Sequence, residues 1–138
     1  MSLLNDVHMQ LILQVKTAYK NHNPLSDQLL SALNFVQQRP LLQAFDLVDR
    51  KNVTRVTCPA GRTVFQVCGS SGKLYTCFAS SNFCSCPAYV FSVLKKKDVS
   101  MCKHVLAVEL SCATGSCRDL SVSDEELTQM LLSNLATT

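Results

Sequence analysis

The sequence predicts an α+β fold in which helices flank a small antiparallel sheet, and three observations lead to this prediction. Apolar residues recur at helical spacing over the first third of the chain. β-Branched residues and turn signals dominate between residues 53 and 78, and helical spacing returns after them. The chain has 138 residues, 47% of them apolar, which is enough for one small domain with its own core and excludes wholesale disorder.

The first third of the chain is predicted to form three helices. Apolar residues three or four positions apart indicate a first helix that ends near residues 20–24. Its apolar stripe contains Leu4, Val7, Leu11 and Val15. A second helix over residues 25–36 has Ser26 as its expected N-cap and stops before Pro40, because proline disfavours helical geometry in the residue before it. A short third helix is expected over residues 41–48.

A three-stranded antiparallel meander is predicted next. Its strands are the extended segments 53–57, 63–67 and 74–78, which are rich in β-branched and aromatic residues. Turn signals at residues 59–61 and 69–72 separate them. The turns are short enough to join neighbouring strands as hairpins.

Two helices are expected after the meander, before the C-terminal one. Pro87 opens an apolar helix that runs through residue 94 and ends in three lysines at 95–97, where cations suit the helix C-terminus. Another helix is expected from about residue 101 to 113, closed by Gly115 as a C-terminal glycine signal.

The C-terminal helix begins with a capping box formed by Ser123 and Glu126, and Val122 and Leu127 lie where a hydrophobic staple belongs. The organisation predicted for the whole chain has three parts that form one compact unit. These are an N-terminal helical segment (1–39), a central part with the meander and its following helices (40–115), and the C-terminal capped helix (116–138).

Charge is concentrated in the middle of the chain. Nine Lys or Arg stand against four Asp or Glu between residues 40 and 110, whereas residues 111–138 have one against four. The formal net charge of +3 is too small to indicate a nucleic-acid binder by itself, but a basic centre favours an anionic partner there. The start of the chain lacks the features of a secretory signal, and no apolar stretch reaches about 18 residues. We therefore expect a soluble intracellular protein with reduced thiols.

Two closely spaced pairs of potential metal ligands provide the strongest chemical signal. Cys84 and Cys86 are separated by one residue, and so are Cys102 and His104. Three thiolates and one imidazole complete the tetrahedral shell that Zn²⁺ prefers, with no position left for water or substrate. Residues two apart on a strand share a face, and the opening turn of a helix favours thiolates. The pattern therefore predicts one structural zinc ion.

Other interpretations of the cysteines and histidines stay open. The four residues can instead be buried cysteines beside an ordinary core histidine. Cys112 and Cys117 offer a rival pair that would complete an all-thiolate site with Cys84 and Cys86. The remaining thiols are expected to be packing residues, and the remaining histidines solvated or capping. These are Cys58, Cys68 and Cys77, and His8 and His22.

Enzyme signatures are missing from the sequence. The segment 69–74 has two residues between its glycines where a phosphate loop has four, and Leu74 stands where Ser or Thr would bind magnesium. The motifs of zinc deaminases and metalloproteases do not occur. The sequence thus favours a protein that is not an enzyme.

Basic residues could contact nucleic-acid phosphates, with Tyr75, Phe83 or Tyr89 available for stacking, although filling the core is the favoured role of these aromatics. The candidate phosphate-binding residues are Arg55, Arg62, Lys73, Lys95, Lys96, Lys97 and Lys103. An autonomous zinc-finger nucleic-acid-binding protein is the alternative that these residues leave open.

The ligand pairs, placed after a meander and separated by an apolar helix, resemble the SWIM-type zinc finger. Over about residues 40–135 the chain is also similar to the SWIM subunits of Shu complexes. The segments that carry this likeness are Leu-Val-Asp-Arg at 47–50, Gly-Ser-Ser-Gly-Lys at 69–73, the run from 84 to 94, and Leu-Ser-Val-Ser-Asp at 120–124.

This resemblance implies a nuclear subunit that acts in homologous recombination. It implies a heterodimer with a RecA-like recombinase paralogue, a pair that binds single-stranded DNA and promotes assembly of a recombinase filament. It also assigns the zinc ligands to Cys84, Cys86, Cys102 and His104, and all four are present.

Overall fold

The structure, a computed structural model, describes residues 3–38, 40–69, 71–78, 83–86 and 101–136. It confirms the α+β class. In chain order the elements are α1 (Leu3–Lys20), α2 (Asp27–Gln37), α3 (Pro40–Asp49), β1 (Val53–Thr57), β2 (Thr63–Cys68), β3 (Leu74–Phe78), β4 (Phe83–Cys84), α4 (Lys103–Ala113), β5 (Arg118–Ser121) and α5 (Asp124–Ala136).

The three N-terminal helices lie close to their predicted bounds. Ser26 caps α2 as expected, because its hydroxyl accepts a hydrogen bond from the Leu29 amide at 3.1 Å. The buried face of α1 differs by one position from the predicted stripe. Val7 is 39% exposed, whereas His8, Leu11 and Val15 point into the core. None of the helices in the described ranges is both long and apolar enough to cross a membrane.

The sheet has five strands within the described residues, in the order β4-β3-β2-β1-β5. The predicted meander forms β1, β2 and β3, which pair antiparallel with Val53 opposite Val67 and Phe65 opposite Cys77. β4 adds to one edge, antiparallel to β3, and β5 adds to the other edge, parallel to β1. The sequence places Cys84 and Cys86 on an extended segment but does not predict that this segment pairs with β3, and it does not predict β5.

The two faces of the sheet are covered by different helices. Val53 and Phe65 contribute to the main core, which they share with α1 to α4. Val56 and Val64, which point the other way because side chains alternate along a strand, pack against Leu127 of α5. Among the described residues, the sheet therefore lies between helices α1 to α4 and the C-terminal helix α5.

Helix α4 is the centre of the main core. It contacts α1 and α3 as well as strands β1 to β4. A helix that is buried on nearly all sides needs an apolar surface all round. Its buried residues are His104, Val105, Leu106, Ala107, Val108, Leu110, Ser111 and Ala113.

The end of α4 and the start of α5 follow their predicted signals. Gly115 takes a positive φ of 64° just after α4, as a C-terminal glycine does. The Ser123 amide donates to Glu126 Oε1 and the Glu126 amide donates to Ser123 Oγ, both at 3.1 Å, which completes the capping box. The helix predicted to begin at Pro87 and the lysines at 95–97 lie outside the described residues.

Candidate metal centre

The four predicted zinc ligands come together in one buried cluster. Their ligand atoms all lie within 4.8 Å of one another. Cys84, Cys86, Cys102 and His104 are 0%, 1%, 3% and 4% exposed. Residues 18 positions apart in sequence thus form a single set of donors, as the spacing predicts.

Strand β4 positions the first pair of cysteines. Cys84 is opposite Cys77 of β3, and Cys86 follows two residues later on the same face. Ser85, between them, faces the other way and bonds to Thr76 through two hydrogen bonds of 3.0 Å. In one, the Thr76 amide donates to Ser85 Oγ, and in the other the Ser85 amide donates to the Thr76 carbonyl. These bonds hold the cysteine segment against β3.

Helix α4 positions the second pair. Cys102 is the N-cap residue, with extended backbone geometry and no capping bond from its side chain, so its Sγ stays available for a metal. The Leu106 amide donates to the Cys102 carbonyl at 3.1 Å and starts the helical ladder. His104 lies in the first turn. The positive end of the helix dipole stabilises thiolates at this position.

The distances within the cluster suit tetrahedral zinc. His104 Nδ1 lies 3.7 Å from Cys84 Sγ and 4.0 Å from Cys102 Sγ. Zinc–sulfur bonds of about 2.3 Å and zinc–nitrogen bonds of about 2.0 Å place the two donor atoms about 3.5 Å apart in a tetrahedron. Nδ1 is therefore the nitrogen placed to bind zinc. The Tyr75 ring packs on the imidazole with a centroid separation of 4.4 Å and fixes its plane.

The buried thiols of the cluster also favour a bound cation. Hydrogen bonds from Cys102 and Cys84 lower the pKa of Cys86, and hydrogen bonds with Cys84 and Cys86 raise the pKa of Cys102. The buried thiols by themselves resist ionising together, because each thiolate raises the pKa of its neighbours. Bound Zn²⁺ deprotonates its thiol ligands, so three thiolates can coexist there with a net local charge of −1. The donor set fits a structural zinc ion, held by the four residues that the sequence predicts.

The rival cysteine pair does not belong to this cluster. Cys112 and Cys117 lie beside each other, with 3.7 Å between their sulfurs, at the C-terminal end of α4. The all-thiolate site is therefore wrong. Among the cysteines expected to pack, Cys77 is buried, whereas Cys58 and Cys68 are half-buried next to backbone carbonyls.

His8 differs from its expected role, whereas His22 lies exposed in a turn as predicted. His8 is 2% exposed and joins α1 to two other helices. Gln37 Nε2 donates to His8 Nδ1 at 2.9 Å, which assigns the proton to Nε2, and this nitrogen donates to Glu109 Oε1 at 2.5 Å. The solvated role expected for His8 is wrong. Its spacing of three from Leu11 is the signal that places it on the buried face.

The basic residues suggested for phosphate contact are spread over several elements. Arg55 pairs with Asp119 at 3.1 Å. Arg62 precedes β2 and Lys73 follows it, so the two lie about 20 Å apart at opposite ends of that strand. Lys103 is half-buried in the first turn of α4. Lys95, Lys96 and Lys97 are outside the described residues, and a nucleic-acid role for this set stays a prediction.

Two aromatic residues named for stacking are half-buried beside the sheet. Tyr75 covers His104, and Phe83 stacks on Phe78 with ring centroids 5.3 Å apart. Both positions agree with the predicted core role. Tyr89 lies outside the described residues.

Comparison with known proteins gives the same metal motif. The SWIM zinc finger family matches residues 75–113, which include all four ligands. Zinc finger SWIM domain-containing protein 7 of Mus musculus is 47% identical over 129 residues, which cover 94% of this chain and 85% of that protein. The Danio rerio protein of the same name is 48% identical over 130 residues, 94% of this chain and 93% of that one.

A more distant relative is the zinc finger SWIM domain-containing protein 7 homolog of Dictyostelium discoideum. It is 28% identical over 130 residues, which cover 94% of this chain and 83% of that protein. No solved structure matches the chain. With identities near one half over almost its whole length and the four ligands of the finger gathered in one site, the chain belongs to the zinc finger SWIM domain-containing protein 7 family.

Proposed function

We propose that this chain is a non-enzymatic scaffold subunit of a Shu-type complex in the nucleus. In this proposal it forms a heterodimer with a RecA-like recombinase paralogue, and the pair binds single-stranded DNA. The pair then promotes assembly of a recombinase filament in homologous recombination repair. Any nucleotide hydrolysis in the complex belongs to the partner, because the glycine turn at 69–72 of this chain joins two strands.

The observation that carries the proposal is the closed, buried metal cluster between β4 and α4. Four protein donors fill the tetrahedral shell of zinc, so the metal has a structural role there and no position for a substrate. Such a site supports a rigid platform that another protein can bind. The resemblance to SWIM subunits of Shu complexes supplies the class of partner.

Exposed apolar side chains on the N-terminal helices support a protein partner. Phe35 of α2 is 74% exposed and Leu42 of α3 is 78% exposed. Large exposed apolar side chains contribute to interaction surfaces, and in sequence these two lie on either side of the short junction between α2 and α3. We assign this surface to the recombinase paralogue.

Co-purification with that paralogue tests the proposal. His104→Ala is expected to reduce bound zinc from about one ion per chain and to abolish co-purification, because loss of one ligand opens the site. His22→Ala is the matched control, since His22 is exposed and is expected to leave both zinc and partner in place. Partner binding that survives loss of the metal would contradict the scaffold role.

Substitutions at exposed positions distinguish a loss of partner binding from a loss of folding. Phe35→Ser and Leu42→Ser are expected to keep the zinc and the thermal stability of the chain but to weaken partner binding.

Salt-dependent affinity for single-stranded DNA, measured for the chain alone and for the pair, tests the nucleic-acid part of the proposal. Equal affinity in the two cases would favour the autonomous nucleic-acid-binding alternative.

A further inference from the structure

A second cysteine pair lies at the end of α4 that is far from the metal centre. Cys112 is eight residues beyond His104, about 12 Å along the helix axis. The turn that ends α4 brings Cys117 back beside it. In that turn the Thr114 amide donates to the Leu110 carbonyl at 3.0 Å and the Ser116 amide donates to the Ser111 carbonyl at 2.8 Å. The sulfurs of Cys112 and Cys117 are 3.7 Å apart as a result.

The surroundings of the pair suit a reactive thiol. Cys112 is exposed, and Cys117 is half-buried next to the main core. Arg55 Nη2 lies 3.8 Å from Cys112 Sγ, while Nη1 of the same guanidinium donates to Asp119 at 3.1 Å. The salt bridge to Asp119 thus holds the positive charge in place beside the exposed sulfur.

We propose that Cys112 and Cys117 are a hydroperoxide-reactive dithiol that closes an intrachain disulfide, a modification site separate from the metal centre. Cys112 is the attacking thiol and Cys117 the resolving thiol. The proposal does not depend on a recombinase partner or on DNA.

The reaction has two steps. The Cys112 thiolate attacks one oxygen of a hydroperoxide, an S–O bond forms and the O–O bond breaks, which gives a sulfenic acid and an alkoxide or hydroxide ion. The Cys117 thiol then attacks the sulfenic sulfur. The S–S bond forms, and the sulfenic hydroxyl leaves with the thiol proton as water. Two electrons pass from the cysteine pair to the peroxide.

Protonation favours this division of roles. The pKa of Cys112 is lowered to about 6, because Cys117 donates a hydrogen bond to its sulfur and the Arg55 guanidinium lies beside it. Cys112 is therefore largely thiolate at pH 7. The pKa of Cys117 is raised by its hydrogen bond with Cys112, so Cys117 keeps its proton until it attacks.

The other thiols offer less access or no neighbour that can resolve the sulfenic acid. The three metal-centre cysteines and Cys77 are at most 3% exposed. Cys58 and Cys68 are half-buried, and their sulfurs contact backbone carbonyls instead of a second cysteine. Oxidation is therefore expected to select the pair at the end of α4.

Peptide mass spectrometry of the zinc-loaded full chain tests the proposal. We expect one equivalent of hydrogen peroxide at pH 7, followed by alkylation, to block two of the eight thiols and to yield a Cys112–Cys117 disulfide with zinc still bound. In Cys117→Ser a sulfenic acid should accumulate on Cys112 and be trapped by a 1,3-dione. Cys112→Ser should lose the fast reaction, and serine at this exposed position leaves the fold intact.

Arg55→Gln tests the part played by the guanidinium. It is expected to shift the pH midpoint for alkylation of Cys112 upward by about one pH unit, whereas Arg62→Gln, an exposed arginine next to β2, leaves the midpoint unchanged. The proposal is overturned if the two sulfurs stay unlinked while other thiols oxidise, if zinc is released first, or if Cys112→Ser reacts as fast as the parent chain.

Discussion

His8 and His104 are both buried, but their neighbours give them different chemistry. His104 faces the sulfurs of Cys84 and Cys102 with Nδ1, which suits a metal ligand. His8 bonds to an amide and a carboxylate, which makes it a polar link between helices. The spacing within the two ligand pairs identifies the first role, because Cys102 lies two residues from His104 and Cys84 lies two residues from Cys86. The partners of His8 come from positions 37 and 109, and no local pattern of the sequence connects them.

Replacement of His8 tests the polar link. His8→Leu is expected to lower the free energy of unfolding by about 1–3 kcal/mol, because it leaves the Gln37 amide and the Glu109 carboxylate without this partner in the helix layer. Urea unfolding of the zinc-loaded chain measures the change. Gln14→Leu, at an exposed position of the same helix α1, is the matched control and is expected to change the stability by less than about 0.5 kcal/mol. An equally small effect at His8 would show that its hydrogen bonds do not stabilise the fold.

At the scale of the elements, the sequence predicts α1 to α5 and the meander, but it predicts neither the pairing of the Cys84 segment with β3 nor strand β5. Apolar periodicity and caps determine α1 to α5, and β-branched runs with turns determine β1 to β3. β4 has only two residues, too few for a periodic pattern, and forms because Cys84 pairs with Cys77. β5 is exposed along its length and has no apolar alternation. It becomes a strand because β1 offers it a partner, with Thr54 opposite Arg118.

The capping box of α5 is a test at the element scale, because this helix packs on one face of the sheet through Leu127. Ser123→Ala removes the acceptor for the Glu126 amide and is expected to cost about 1 kcal/mol of stability. Thermal unfolding measures this loss of stability. Ser121→Ala, two residues earlier on the exposed β5, serves as the control and should have little effect. If the two variants are equally stable, the capping bonds contribute nothing to the docking of α5.

Asp124 links the same helix to the turn between β1 and β2. Its pKa is lowered from the ordinary value of 3.8, by a hydrogen bond with Cys58 first and by the Ala60 amide next. A carboxyl group whose pKa is lower in the folded state than in the unfolded state stabilises the fold fully when the pH is above its unfolded-state pKa. This stabilisation is lost as the pH falls through its folded-state pKa. We therefore expect the acid unfolding of Asp124→Asn, followed by circular dichroism below pH 4, to be less steep than that of the parent chain. Identical pH profiles would contradict the link.

At the scale of the whole molecule, the metal centre and the core depend on the same helix. α4 brings two ligands to the centre, Cys102 as its N-cap and His104 in its first turn, and eight of its eleven residues are buried. Zinc therefore joins β4 to the centre of the core. A structural zinc contributes about 10–16 kcal/mol of binding free energy, which is comparable to the about 5–15 kcal/mol that stabilises a typical domain.

The dependence of stability on free zinc is the prediction that follows. Where the folded chain binds zinc and the unfolded chain does not, each tenfold rise in free zinc above the dissociation constant adds about 1.4 kcal/mol to the free energy of unfolding. Melting temperatures in zinc-buffered solutions should rise by several degrees per decade. Magnesium should not replace zinc, because it prefers oxygen ligands to thiolates. His104→Ala should abolish the dependence of the melting temperature on zinc, and the control His22→Ala should keep it. A parent chain whose melting temperature does not change with free zinc would mean that the four donors hold no structural metal.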